Sequence, residues 1–182
     1  MRLKAGPNGW IIDGRKGGIM SHRRRNSLRL KGYDYTRPGG YFVTLRTYKG
    51  RPSLSRVDGG KVYLSRAGES AFYYWLKLPD YFDHIRLDQI MIMPNHIHAI
   101  IIFLGSPKNA GKPTTSKYDN LTPGSLSVII RTYKSLVTKR INTIFNTDGK
   151  RFWQRNYYDH IIRDPKSLNR IRAYIRSNPY RV

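Results

Sequence analysis

Two histidines separated by one residue are the strongest chemical feature of this sequence. They are His96 and His98, in the segment Met-Pro-Asn-His-Ile-His. Residues two apart on a strand project from the same face, so both imidazoles would point together at the start of a strand that follows a Pro94–Asn95 turn. A pair of imidazoles can bind a divalent cation but leaves it undercoordinated without a third ligand. The alternative is a strand end whose histidines are only hydrogen-bonded or solvated.

A tyrosine and an asparagine near the C-terminus could complete such a site. Tyr174 and Asn178 lie on a predicted helix, where a spacing of four residues places both side chains on one face. Asn178 could give a carbonyl oxygen to a cation while the phenol of Tyr174 lies beside it. The alternative is an ordinary helix end, since Pro179 follows Asn178 and the chain has 14 tyrosines.

A tyrosine beside a cation is suited to breaking and rejoining a phosphodiester. The cation stabilises the negative charge that grows on the phosphate oxygens in the transition state. A tyrosine that attacks exchanges one phosphodiester for another, so a second DNA end can later displace the enzyme. This combination therefore favours strand transfer over hydrolytic degradation. Two imidazoles and an amide would hold Mg²⁺ only modestly and would favour Mn²⁺, or adventitious Zn²⁺ in vitro.

The charge balance indicates a polyanionic partner. With 34 Lys and Arg against 11 Asp and Glu, the formal net charge is +23, and this excess repels itself unless nucleic acid or an anionic membrane is near. The longest apolar run, residues 99–104, is far shorter than the ~20 residues that span a bilayer, so we expect no membrane partner.

The carboxylates are scattered, with Glu69 the only glutamate, which argues against a two-metal nuclease. The absence of cysteine fits a reducing, cytoplasmic location.

The apolar periodicity predicts one α+β domain over residues 26–182, behind a basic and flexible N-terminal arm over 1–25. Its predicted elements run in the order strand, helix, strand, strand, helix, strand and a further C-terminal helix. This is the split β-α-β pattern of a ferredoxin-like fold, with a central antiparallel sheet and helices packed on it.

Particular residues set the predicted boundaries of these elements. Pro79 ends the first helix, and strands over 87–93 and 96–104 form a hairpin in the middle of the sheet. Thr122–Pro123 caps the longest helix, and residues 151–162 have strand character. The final helix, which carries the tyrosine, then begins at Asp164–Pro165.

Three motifs together resemble the single-tyrosine HUH transposases, specifically the REP-associated tyrosine transposases. They are Met-Pro-Asn-His-Ile-His (93–98), Phe-Trp-Gln-Arg-Asn-Tyr-Tyr-Asp-His-Ile-Ile-Arg (152–163) and Tyr-Ile-Arg-Ser-Asn-Pro (174–179). Residues 24–47 also look like the start of these proteins. The resemblance covers residues 22–182 and leaves the first part of the chain unexplained.

The resemblance implies a set of roles. His96 and His98 take the metal-ligand positions, Asn178 matches the third ligand and Tyr174 matches the nucleophile. It further implies a Mg²⁺ or Mn²⁺ cofactor, a single-stranded DNA substrate with a hairpin, and a 5′-phosphotyrosine intermediate with a free 3′-hydroxyl. The enzyme would be a cytoplasmic, nucleoid-associated monomer or homodimer.

Basic and aromatic residues outside this constellation are candidates for DNA contact. Cations would neutralise phosphates, and aromatic rings would stack on unpaired bases. The candidates are Arg131, Lys134, Lys139, Arg151, Trp153, Arg155, Tyr157, Arg170 and Arg176. Tyr157 and Tyr158 are weaker nucleophile candidates than Tyr174, because they lie on a predicted strand without a helical partner four residues on.

Two other functions remain open from the sequence. Ferredoxin-like sheets with basic and aromatic surfaces also serve as single-stranded nucleic-acid-binding modules without catalysis. A replication-initiator or relaxase-type nickase would share the HUH chemistry. Convergence of the imidazoles, Asn178 and the Tyr174 hydroxyl would make binding alone a poor explanation.

Overall fold

This computed structural model describes residue 30, residues 32–105 and residues 122–181, so the arm predicted over 1–25 lies outside the described residues. The strands are β1 (Gly39–Arg46), β2 (Ser55–Asp58), β3 (Lys61–Leu64), β4 (Ile85–Ile92), β5 (His96–Phe103) and β6 (Tyr158–Ile162). The helices are α1 (Arg66–Leu76), α2 (Leu78–Tyr81), α3 (Leu126–Phe145) and α4 (Pro165–Ser177). Short 3-10 turns cover Tyr48–Gly50 and Asn178–Arg181.

Four strands form an antiparallel sheet in the order β4-β5-β1-β6, while β2 and β3 form a separate hairpin. The predicted α+β, ferredoxin-like arrangement is therefore confirmed. One expectation was wrong: the β4–β5 hairpin does not occupy the middle of the sheet. β1 pairs with β5 on one side and β6 on the other, so β4 is left at an edge.

The two faces of the sheet are covered by different helices. One face carries Tyr41, Val43 and Leu45, which belong to the main core with buried residues of α1 and α3. The opposite face carries Phe42 and Ile100, which pack with Ile175 of α4. Because side chains alternate along a strand, the second face also receives His96 and His98 from β5. The helix predicted to carry the tyrosine therefore covers the histidine face.

Two helix boundaries differ from the sequence-based expectation. The longest helix begins at Leu126 with Ser125 as N-cap, because Gly124 adopts a positive φ of 71° that no continuing helix allows. Pro79 does not end α1, which stops at Leu76. It lies instead in the first turn of α2, where its missing N–H costs no hydrogen bond. None of the helices in the described ranges is long and apolar enough to cross a bilayer.

The last strand of the sheet is shorter than predicted. β6 covers only Tyr158–Ile162, and upstream of it a single bridge joins Thr47 to Trp153. Residues 154–156 leave the sheet because their carbonyl oxygens accept hydrogen bonds from the Lys134 ammonium of α3, at 2.6, 3.4 and 3.3 Å. This segment therefore faces α3 and forms a cleft with it.

Candidate active site

The histidine pair lies at the start of β5, directly after the Pro94–Asn95 turn. The Nε2 atoms of His96 and His98 are 3.1 Å apart, and the ring centroids are separated by 4.5 Å. Both imidazoles thus aim the same nitrogen at a common point on the α4 face, as strand alternation requires.

The other ring nitrogens are held by neighbouring polar groups. Nδ1 of His96 donates to the Asn95 side-chain oxygen at 2.7 Å, which leaves its Nε2 with a lone pair. Nδ1 of His98 lies 2.9 Å from the Thr44 hydroxyl on β1, which can either donate or accept. Such partners fix ring orientation and tautomer in metal-binding histidines. Sequence reasoning missed Thr44, because only the β1–β5 register places it opposite His98.

Burial keeps both imidazoles neutral. Burial, helped by the charge of Arg46, lowers the pKa of His96 to about 4. Burial, helped by the neighbouring His96, lowers the pKa of His98 to about 3. At neutral pH each ring therefore has a lone pair available for a cation instead of a proton.

The donor geometry fits a divalent cation. Two metal–nitrogen bonds of about 2.1 Å whose nitrogens are 3.1 Å apart meet at roughly a right angle, the angle between neighbouring ligands of an octahedral ion. Within the described ranges, no group of three or more His, Cys, Asp or Glu side chains gathers around a cation position. A cation bound by the two imidazoles would still need further ligands, such as amide, hydroxyl or water oxygens.

Tyr174 of α4 reaches the histidine pair of its own chain. Its hydroxyl oxygen lies 3.4 Å from Nε2 of His98, and the two ring centroids are 5.4 Å apart. The Phe42 ring packs against both residues, with centroid distances of 5.3 Å to His98 and 6.3 Å to Tyr174. The imidazole pair and the phenol thus converge without a second subunit.

Asn178 follows Tyr174 by one helical turn and is buried, with 7% of its surface exposed. It is the C-cap residue of α4, and its role as third ligand stays a prediction.

Arg46 is a second residue that the sequence did not single out. It ends β1 directly opposite His96 and is exposed. After burial, the charge of Arg46 is a second cause that lowers the pKa of His96. An exposed guanidinium beside a cation site can bind a phosphate oxygen in a bidentate manner. The only sequence signal for it is the strand register, which a single sequence does not reveal.

The predicted DNA contacts divide into two groups. Seven of the nine line the cleft between α3 and residues 151–157: Arg131, Lys134, Lys139, Arg151, Trp153, Arg155 and Tyr157. Arg170 and Arg176 are exposed on α4. His160 lies on β6 and is separated from β5 and its histidines by β1.

Trp153 needs a correction. Only 4% of its surface is exposed, and its ring packs edge-on against Phe152 and near Tyr133 in the main core. A base cannot stack on a ring whose faces are already covered. The aromatic candidate that remains accessible in the cleft is Tyr157, which is half-buried.

An ion pair attaches the tyrosine helix to the edge strand. Arg172 of α4 donates to both carboxylate oxygens of Asp88, at 3.0 and 2.5 Å, and the Asp88 side chain is only 10% exposed. The β4–β5 register is interrupted between Leu87 and Ile90, and this irregularity directs Asp88 towards α4. The hydrogen bond from Arg172 holds the pKa of Asp88 below its usual range. Arg172 precedes Tyr174 by two residues, so the pair fixes the helix close to the phenol.

We expect Asp88→Asn to slow tyrosine-dependent DNA cleavage about tenfold while DNA binding stays unchanged, because α4 then holds the phenol less firmly. Thermal unfolding should show a lower Tm for Asp88→Asn at pH 7. Because the folded-state pKa of Asp88 is depressed, this Tm difference should shrink as the pH falls below about 4. Asp80→Asn, which breaks an exposed ion pair with Lys77 on α2, is the matched control. Equal cleavage rates for the two variants would contradict a positioning role.

Comparison with known proteins places this geometry in a family. No family model matches the chain. The chain is 34% identical over 166 residues to an uncharacterized protein of Haemophilus influenzae, an alignment that covers 87% of this chain and 89% of that protein. The chain belongs to the same family as that protein.

A solved structure identifies the fold. The structure of a REP-associated tyrosine transposase bound to a REP hairpin matches with a TM-score of 0.57 and 20% sequence identity, over 89% of this chain and 74% of that chain. The chain has the fold of a REP-associated tyrosine transposase. In this REP-associated tyrosine transposase fold, the histidine pair and Tyr174 lie on the sheet face that α4 covers.

Proposed function

We propose that this protein is a metal-dependent endonuclease and strand transferase for single-stranded DNA, acting as a transposase or a domesticated relative. The observation that carries the proposal is the approach of the Tyr174 hydroxyl to 3.4 Å from Nε2 of His98, which itself lies 3.1 Å from Nε2 of His96. A nucleophile and two neutral nitrogen ligands that converge at one point suit phosphoryl transfer.

His96, His98 and Asn178 would hold the cation, and Tyr174 would attack. When bound, Mg²⁺ or Mn²⁺ would supply positive charge to the non-bridging oxygens of the scissile phosphate. Asn95 and Thr44 keep the two Nε2 atoms aimed at that position. Arg46 would bind a phosphate oxygen from the open side of the site.

The cleavage step conserves one phosphodiester. The Tyr174 oxygen forms a bond to phosphorus as the bond between phosphorus and the 3′-oxygen breaks. The phenolic proton leaves Tyr174, and the departing 3′-oxygen gains one to become a free hydroxyl. The product is a 5′-phosphotyrosine, which a second 3′-hydroxyl can attack in the reverse sense. Rejoining therefore needs no outside energy source.

The proposed substrate is a single strand that contains a hairpin. The matching transposase is bound to a REP hairpin, and a net charge of +23 favours a nucleic-acid partner for this chain. One copy of residues 26–182 would act as the catalytic domain, in the cytoplasm and near the nucleoid. The phenol and imidazoles of one chain already meet, so monomeric cleavage in cis is the simplest arrangement.

A non-catalytic binding module is a poorer explanation of the site. Binding to unpaired bases needs exposed aromatic and basic side chains, whereas His98 is only 6% exposed and its partners are polar groups. A nickase of the replication-initiator or relaxase type would use the same chemistry, but no observation in this structure favours it over a transposase.

Labelled single-stranded hairpins incubated with the protein and Mn²⁺ test the proposal. We expect a covalent protein–DNA product that survives denaturing gel electrophoresis and carries the 5′ end of the downstream fragment. The product should be absent when a chelator removes the divalent cation. If a panel of hairpins with varied flanks is bound but no covalent product forms, the protein is a binding module and the proposal is wrong.

A further inference from the structure

A strongly basic cleft lies outside the histidine site. It has a volume of about 620 Å³ and is bounded by α3 on one side and by residues 151–157 on the other. Five of its lining residues are cationic: Arg131, Lys134, Lys139, Arg151 and Arg155. No Asp or Glu side chain is among the described residues that line it. Five like charges around one cleft repel one another, so the cleft is suited to an anionic ligand.

The cations of the cleft have two different tasks. Lys134 donates to the carbonyl oxygens of Gln154, Arg155 and Asn156, and burial lowers the pKa of its ammonium to about 8. It therefore shapes the wall of the cleft. Arg131 and Lys139 each lie about one turn away from it on α3, on opposite sides, and are exposed, so their charged groups can meet a ligand.

The remaining lining groups fit a nucleotide chain. Tyr157 presents a half-buried ring, and Thr138, Ser135 and Gln154 add hydrogen-bonding groups. An aromatic ring among cations is the combination that binds unpaired nucleotides, with bases stacked and phosphates neutralised. A volume of about 620 Å³ has the size of a small-molecule pocket and offers room for a few unpaired nucleotides.

The wall of the cleft also reaches the end of β1 that carries the active site. The Gln154 N–H donates to the carbonyl of Arg46 at 2.9 Å, and the Tyr48 N–H donates to the carbonyl of Phe152 at 2.7 Å. Arg46 is in turn the strand partner of His96. The cleft wall and the histidine pair are therefore both joined to the end of β1 at Arg46.

From this arrangement we infer that the cleft between α3 and residues 151–157 binds an unpaired stretch of the DNA strand that is cut at the histidine site. This inference rests on the proposed function. The cleft lies on the α3 side of the sheet and the histidines on the α4 side, so the strand passes around the end of β1. The cleft thereby sets the distance between the bound segment and the cut phosphate.

Binding of a labelled oligo-dT of about 12 nucleotides, measured by fluorescence anisotropy in a chelator, tests the inference without any cleavage. We expect Arg131→Gln with Lys139→Gln to weaken binding about tenfold and to reduce the salt-dependence slope by roughly 1.4, the value for two lost phosphate contacts on a single strand. The control pair Arg66→Gln with Arg140→Gln removes the same charge from exposed positions outside the cleft. It should weaken binding less than about twofold. Equal Tm values would show that all variants are folded.

Two outcomes would overturn the inference. If the control pair loses as much oligo-dT affinity as the cleft pair, only the total charge matters. If the cleft pair loses affinity for a blunt duplex of the same length as strongly as for oligo-dT, the cleft holds paired DNA. Failure of the proposed function is a separate result. Wild-type protein would then form no covalent product, even though the cleft pair still weakens oligo-dT binding.

Discussion

Replacement of Tyr174 by phenylalanine should abolish covalent attachment to DNA and leave binding of the same hairpin within about twofold. The substitution removes only the hydroxyl that lies 3.4 Å from His98. The ring contact with Phe42 and the packing of α4 remain, so the fold should be unchanged. A denaturing gel measures the covalent product, and a mobility-shift assay measures binding.

Tyr158→Phe is the matched control for this result. Tyr158 starts β6 on the same face of the sheet, and its ring centroid lies 6.3 Å from that of Phe42. Tyr158 therefore shares the neighbour Phe42 with Tyr174. We expect the Tyr158 variant to form the covalent product at a rate near that of the wild type. An undiminished adduct in Tyr174→Phe, or its loss only in Tyr158→Phe, would overturn the assignment.

Replacement of both His96 and His98 by alanine should reduce cleavage roughly 10³-fold and remove its dependence on divalent cation. Each imidazole is neutral at pH 7 and offers Nε2 to the same point, so no other described side chain replaces the pair. Cleavage rates measured across a Mn²⁺ titration test the activity. Electron paramagnetic resonance of free Mn²⁺ tests whether the protein still binds the ion.

The control for the histidine pair is His160→Ala. His160 is exposed on β6, beyond β1, and should be dispensable for both Mn²⁺ binding and cleavage. Alanine at His98 also opens a cavity, because this residue is buried, so Tm must be compared at the assay temperature. Tight Mn²⁺ binding by a folded double variant would show that the imidazoles are not the ligands.

Features that depend only on neighbouring residues in the chain were predictable from the sequence. The separation of His96 and His98 by one residue forces both onto one face of any strand, whatever surrounds it. Asp164 and Pro165 are residue types favoured at the N-cap and the first position of a helix, and the structure shows the Asp164 side chain accepting from the Ser167 N–H at 2.7 Å. The alternation of apolar and other side chains over residues 41–46 likewise predicts a strand, and β1 contains these residues.

Other features depended on groups that are distant in the chain. Trp153 belongs to a motif with strand character, yet its side chain is buried in the core. The carbonyl of the next residue, Gln154, accepts a hydrogen bond from Lys134 of α3 instead of pairing within the sheet. The link between Asp88 and Arg172 spans 84 residues and arises from a strand irregularity that no local pattern announces. A single sequence carries no record of such pairings.

The sequence by itself determined the residue types of the candidate site, the shared strand or helix face of each spaced pair, and the excess of positive charge. These properties follow from spacing and composition alone. Only the tertiary structure decided that Tyr174 lies beside the histidines of its own chain and that the basic residues gather in a cleft around the end of β1. The physical reason is that the place where a helix packs depends on all the apolar and charged side chains of its buried face together. In α4, Ile175 packs on the sheet and Arg172 forms an ion pair with Asp88 of the edge strand.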